Sequence, residues 1–183
     1  RKTQAAILNK LGIEQLNAMQ EEALTLIQSE ASVVLLSPTG TGKTLAFSLP
    51  ILQSLDTNID EIQALILVPS RELAIQIEQV IREMGTGFKV NAVYGGQAFT
   101  KDRTNLQHKP AILIGTPGRV ADHLRRNTFT TEHISTLVLD EFDKSLEIGF
   151  EADMKEILEA LHKLNKKILT SAVFAVDCSH YEN

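Results

Sequence analysis

Two segments of this 183-residue chain combine residue types that handle charged oxygen. The first is Ser37-Pro38-Thr39-Gly40-Thr41-Gly42-Lys43-Thr44, between an apolar run at 33–36 and a helical run at 45–55. A glycine-bearing turn between a buried strand and a helix N-terminus offers backbone N–H groups to an anion, helped by the helix dipole. Lys43 can then reach the β- and γ-phosphates of ATP, and the Thr44 hydroxyl can ligate Mg2+. The general phosphate-loop pattern begins with glycine, where this chain has Ser37. The second segment is Asp140-Glu141-Phe142-Asp143, after the apolar Leu137-Val138-Leu139. An Asp just past a buried strand suits the magnesium-holding partner of a phosphate loop, and Glu141 can orient or deprotonate an attacking water. Many strands end in acidic residues, so the second segment is weak alone. The two gain force as complementary halves of one site. Lys43, Thr44, Asp140 and Glu141 are the expected catalytic group, with Thr44 and Asp140 toward the metal.

Three further segments follow apolar runs: Pro69-Ser70-Arg71-Glu72, Tyr94-Gly95-Gly96 and Thr116-Pro117-Gly118-Arg119. Ser70 suits a helix N-cap and Pro117 a first helical turn. Arg71 can point at a phosphate from the strand edge, and a glycine pair admits close approach of a polymer backbone. Each also has a plain structural reading: Arg71 and Glu72 as a surface ion pair, Gly95-Gly96 as a turn.

The elements that must carry these segments are legible as an alternation. Apolar runs at 33–36, 64–68, 90–93, 111–115, 136–140 and 167–170 read as strands. Those at 65–68 and 137–139 are apolar at successive positions, which predicts burial on both faces. Leu73, Ile77, Val80, Ile81 and Met84 recur at helical spacing, as do Met154, Ile157, Leu158, Leu161 and Leu164. That second helix is expected to open on Glu151 and Asp153 and close on Lys163 and Lys166, matching its dipole. Strands alternating with helices give an α/β fold, a mostly parallel sheet with helices on both faces and ligands at the C-terminal strand ends.

Composition sets the bounds. Apolar residues make up 43% and charged residues 22%, ordinary for a globular domain. No run approaches the roughly 20 apolar residues of a membrane helix, and residues 1–10 lack the apolar core of a signal peptide. The single cysteine, Cys178, excludes an internal disulfide. No membrane association, a cytoplasmic location and no oligomer are the expectations. A net charge of −5 argues against gripping nucleic acid with a broad basic surface. It leaves room for contacts by backbone amides, helix N-termini and a few placed arginines.

These motifs together resemble the DEAD-box RNA helicases. Asp-Glu-Phe-Asp is one residue from the family's Asp-Glu-Ala-Asp, and residues 37–44 are similar to its Ala/Ser-x-Thr-Gly-x-Gly-Lys-Thr loop, which accounts for Ser37. Pro69-Ser70-Arg71-Glu72-Leu73-Ala74, Gly95-Gly96 and Thr116-Pro117-Gly118-Arg119 resemble its RNA-contacting segments. Ser171-Ala172 resembles the start of its Ser-Ala-Thr coupling segment. Gln20, behind Gly12 and Ile13, resembles its adenine-reading glutamine. The resemblance runs from about Gly12 to Ala172. It implies a RecA-like three-layer sandwich that binds ATP and Mg2+. It also implies an RNA partner held through its backbone with little sequence preference. Residues 1–172 are then the N-terminal ATP-binding domain. A C-terminal RecA-like domain, which supplies arginine fingers, lies beyond this chain. An arginine finger is worth ~10³–10⁵ in rate, so the chain alone is expected to hydrolyse ATP poorly. Phe142 stands where the family has alanine, Thr3 where it has an aromatic ahead of the glutamine, and Val173 where it has the coupling threonine. From Val173 to Asn183 the resemblance is lost, and that tail reads as vector-derived. Two rivals stay open: another phosphate-loop enzyme such as a DNA helicase, and a non-enzymatic clamp.

Overall fold

A computed structural model describes residues 3–37 and 41–172; the expectations for Pro38, Thr39, Gly40, the Thr41 side chain and the tail from Val173 lie outside the described residues. In chain order the elements are α1 (Gln4–Lys10), α2 (Ala18–Ser29), β1 (Ser32–Leu36), α3 (Thr41–Ser54), β2 (Ala64–Leu67), α4 (Arg71–Glu83) and β3 (Val90–Val93). Then come α5 (Phe99–Asn105), β4 (Ile112–Gly115), α6 (Pro117–Arg125), β5 (Thr136–Leu139), α7 (Phe142–Ile148), α8 (Glu151–Ala160) and β6 (Lys166–Ser171).

The strands form one sheet in the order β1-β6-β5-β2-β4-β3, and every pairing is parallel. All strand C-termini therefore share one edge. Two apolar clusters sandwich the sheet. Alternate residues of a strand serve opposite clusters: Ala64 and Ile66 face one, Leu65 and Leu67 the other. Val138 and Leu137 divide in the same way. This two-sided demand is why the strands are continuously apolar rather than alternating. The first cluster takes residues from α1, α2, α3 and α4, the second from α6, α7 and α8.

Local signals set several boundaries. The Ser70 hydroxyl accepts from the Leu73 N–H and caps α4. Pro117 occupies the first turn of α6. Thr3 caps α1 by accepting from Ala6 N–H. One boundary differs from the sequence pattern. Helix α8 stops at Ala160, so neither Lys163 nor Lys166 lies in its last turn. Lys166 instead opens β6, and with Asn165 it donates its backbone N–H to the Ser135 carbonyl. The sheet's need for a sixth strand ends the helical periodicity early, while Leu164 still packs on the second cluster from the connecting turn.

Candidate nucleotide and strand-edge site

The loop and the acidic strand end meet at the C-terminal edge. Lys43, in the first turn of α3 and 4% exposed, places its Nζ 3.0 Å from Asp140 Oδ1 and 3.8 Å from Glu141 Oε2. Asp140 caps β5 and is fully buried, with its N–H donating to the Leu67 carbonyl. Glu141 adopts a left-handed conformation (φ 49°, ψ 51°), an uncommon state for a non-glycine residue. Neighbouring β6 braces this turn. The Thr170 hydroxyl donates to Asp140 Oδ1 and accepts the Glu141 N–H at 2.9 Å. Phe142 follows as the first residue of α7, fully buried in the second cluster. The bulky side chain is thus a core residue beneath the turn, while Asp140 and Glu141 face the loop.

Charge is unevenly compensated here. Burial pushes the Asp140 carboxyl above the usual carboxylate range; the Lys43 ammonium and the Thr170 hydroxyl oppose this. The Lys144 ammonium lies 2.7 Å from Glu141 Oε1, and that bond raises the lysine's affinity for its proton. Asp140 Oδ2 is buried without a hydrogen-bond partner. An orphaned carboxylate oxygen and a threonine hydroxyl such as that of Thr44 are oxygen ligands of the kind a hard cation accepts. Among the described residues no group of three or more His, Cys, Asp or Glu could hold a metal alone. A magnesium ion that arrives with phosphates and keeps its waters needs no such cage.

Gln20 sits in a reciprocal cap. Its N–H donates to Asn17 Oδ1 while its Oε1 accepts the Asn17 N–H. The free end of the amide, Nε2, donates to the Gly42 carbonyl at 3.1 Å. The glutamine therefore ties α2 to the start of α3. Ser37 donates its N–H to the Ser171 carbonyl, so the loop and the Ser171-Ala172 segment are joined by backbone. Ser171 is buried and Ala172 exposed.

The other half of the edge carries the three remaining segments. Arg71 lies over the Tyr94 ring, 5.2 Å from its centroid. Gly96 has φ 86°, a backbone conformation that favours glycine, and a Cβ there would stand in ordinary contact with the Arg71 guanidinium at 3.7 Å. Pro69 and Ser70 line a cavity of about 710 Å³ that also holds Lys43, Thr44 and Glu141. The nucleotide loop and the Arg71 segment thus open on one space. Thr116 and Pro117 are buried, and Gly118 packs toward Phe150 and Asp153. Arg119 turns inward. Its Nη1 meets Asp102 Oδ2 at 2.9 Å and its Nη2 donates to the Gln97 carbonyl at 2.6 Å. Asp102, 1% exposed, also accepts from Gln97 Nε2 and faces His123 Nε2 at 3.0 Å.

Thr170, Lys144, Gln97, Asp102 and His123 escaped the motif reading. Only Asp102 left a sequence signal: it shares helical spacing with Phe99 and Leu106, an acid on an apolar face.

Several known proteins are similar to this chain. The chain is 39% identical over 167 residues to the ATP-dependent RNA helicase CshA of Limosilactobacillus reuteri, covering 90% of this chain and 34% of that protein. It is 39% identical over 168 residues to the ATP-dependent RNA helicase DeaD of Escherichia coli K12, covering 90% of this chain and 27% of that one. The chain therefore spans between about a quarter and a third of the length of these relatives. A solved DEAD box protein from the hyperthermophile Methanococcus jannaschii superimposes with a TM-score of 0.85 at 33% identity, over 92% of this chain and 47% of that chain. No helix among the described residues is long and apolar enough to cross a membrane. The match to the DEAD/DEAH box helicase family runs over residues 17–179, past the Ala172–Val173 point where the motif resemblance ends. Because it takes in everything from the N-cap of α2 through the last strand, this chain belongs to the DEAD/DEAH box helicase family.

Proposed function

We propose that this chain is the ATP-binding RecA-like domain of an ATP-dependent RNA helicase. In that protein, ATP hydrolysis is coupled to RNA binding and local duplex opening. The observation that carries the reading is Lys43, held between Asp140 and Glu141 in a cavity that continues to Ser70. An ammonium paired with buried carboxylates is poised to exchange one partner for incoming phosphate oxygens.

In this reading the 37–44 loop wraps the triphosphate through the N–H groups of residues 39–44, and Lys43 neutralises its β- and γ-oxygens. Thr44 and Asp140 would hold the metal, Asp140 through water. Bound there, Mg2+ supplies charge neutralisation at the transferring phosphoryl group. Glu141, restrained by Lys144, orients the attacking water and takes its proton. Gln20 reads the adenine edge and reports through Gly42 to the loop. Pro69, Ser70, Arg71, Gly95, Gly96 and the 116–119 turn bear on the RNA backbone. There Arg119 acts by fixing the turn against Asp102. Ser171 and Ala172 join this edge to the loop. Backbone contact gives little sequence preference and is compatible with a net charge of −5. A second RecA-like domain completes the cleft, and a cytoplasmic setting suits these substrates.

The test is ATPase activity of the full-length protein with RNA, with DNA and with neither. RNA-stimulated turnover that Lys43→Ala abolishes supports the reading; equal stimulation by DNA points to another motor class. Robust RNA-stimulated turnover by residues 1–183 alone would remove the need for a second domain.

A further inference from the structure

Beside the Gly95–Gly96 turn, the flank built by α5 and α6 carries a cationic cluster of which the roles above use only Arg119. Phe99, the first residue of α5, stacks on buried His123 with ring centroids 4.3 Å apart. Three guanidiniums surround the same phenyl ring: Arg126 at 4.2 Å, Arg103 at 5.8 Å and Arg119 at 5.9 Å from its centroid. Arg119 is neutralised by Asp102, and Arg126 meets Asp122 at 3.3 Å on the exposed surface. Among the described residues Arg103 makes no ion pair.

Arg119 and Arg126 are each met by a carboxylate and Arg103 by none, so a guanidinium held unpaired beside two others calls for a physical reason. The ring supplies part of it, because an aromatic face attracts cations and holds them side by side against their repulsion. An anionic ligand would supply the rest. A guanidinium is a rigid fork of donors that matches phosphate oxygens. The exposed Arg126–Asp122 pair is of the weak surface kind and yields readily to a stronger anion. Position identifies that anion. Arg119 bonds to the carbonyl of Gln97, the residue directly after Gly96. The cluster is therefore continuous with the edge assigned above to the RNA backbone.

We propose that Arg103 and Arg126, organised around Phe99, form a further phosphate-contact station that carries single-stranded RNA off the strand ends and along the α5–α6 flank. This rests on the RNA-helicase reading. The station adds affinity and no base preference, since phosphates carry no sequence information.

The test measures affinity of the full-length protein for a single-stranded oligouridine across a potassium chloride series, with a non-hydrolysable ATP analogue present. Losing one phosphate contact lowers the slope of log K against log salt by about 0.7 for a single strand. Arg103→Gln is expected to lower it by about 0.7, and the Arg103→Gln/Arg126→Gln pair by about 1.4, with nucleotide affinity unchanged. Arg103 is exposed and rests over the Phe99 ring. The single variant therefore remains informative should the pair fail to fold. Wild-type binding with slopes that neither variant alters overturns the station and leaves the helicase reading standing. Wild-type protein that binds no RNA at any salt overturns both. A station serving an acidic protein partner gives the first of these outcomes.

Discussion

The two halves of the strand edge solve different problems with different materials. At the β1–β6–β5 end, Lys43, Asp140, Glu141 and Thr170 are all buried and bonded to one another. At the β2–β4–β3 end, the surface is glycine, helix N-termini and the exposed Arg71, with charge pairing moved one layer inward to Asp102 and Arg119. A triphosphate needs concentrated positive charge and a metal in a dry site, where electrostatics are strong. A nucleic-acid backbone needs reach and close approach, which exposed arginine and glycine provide. The first half should therefore couple function tightly to stability, and the second should separate them.

The largest expected effect comes from breaking the buried pair. Lys43→Ala strands Asp140, so besides abolishing turnover it should cost about 3–5 kcal/mol of folding stability, read by urea denaturation at neutral pH. Lys43→Ala/Asp140→Asn should recover much of the stability and none of the activity. Recovery of neither would show that the pair is not what links the two properties.

Phe142→Ala restores the family's own residue yet empties a filled core position, and a loss of about 3–4 kcal/mol is expected. A neutral result would mean that α7 collapses onto the gap. Asp102→Ala should cost about 3 kcal/mol by leaving Arg119 and His123 without their shared acceptor. It tests whether the outer half hides its own coupled centre; RNA affinity falling with nucleotide affinity intact is the expected pattern. Thr170→Val keeps the shape and removes both hydroxyl bonds, for about 1–3 kcal/mol. Its loss should appear in turnover as well as in melting, because the same hydroxyl braces Asp140 and Glu141. The smallest stability effect belongs to Arg71→Ala, within about 0.5 kcal/mol, together with a clear loss of RNA affinity. A large stability loss there would erase the contrast between the two halves.

Much of this molecule can be read from local sequence. Every strand lies within a residue or two of an apolar run, because two-sided burial writes itself as a continuous apolar stretch. Ser70 and Pro117 signal their helix starts through bonds that span at most a turn. Residues 37–44 and Asp140–Glu141 carry enough chemistry to be paired without coordinates. Other features had no local cause. The end of α8 follows from β6 claiming Lys166, a competition between distant segments. The strand order depends on how crossovers pack, and alternation of strands and helices leaves it open.

What the sequence determined by itself is the set of chemical parts and the edge on which they stand, since residue type and periodicity are local properties. What only the tertiary structure decided is which atoms are already engaged. Arg119 looked like an outward contact and is locked inward on Asp102. Gln20 looked like a reader of the base and also holds Gly42. Asp140 keeps one oxygen bonded to Thr170 and Lys43 and one without a partner. Each of these outcomes depends on a neighbour far away in the chain, and that neighbour is set by packing rather than by spacing.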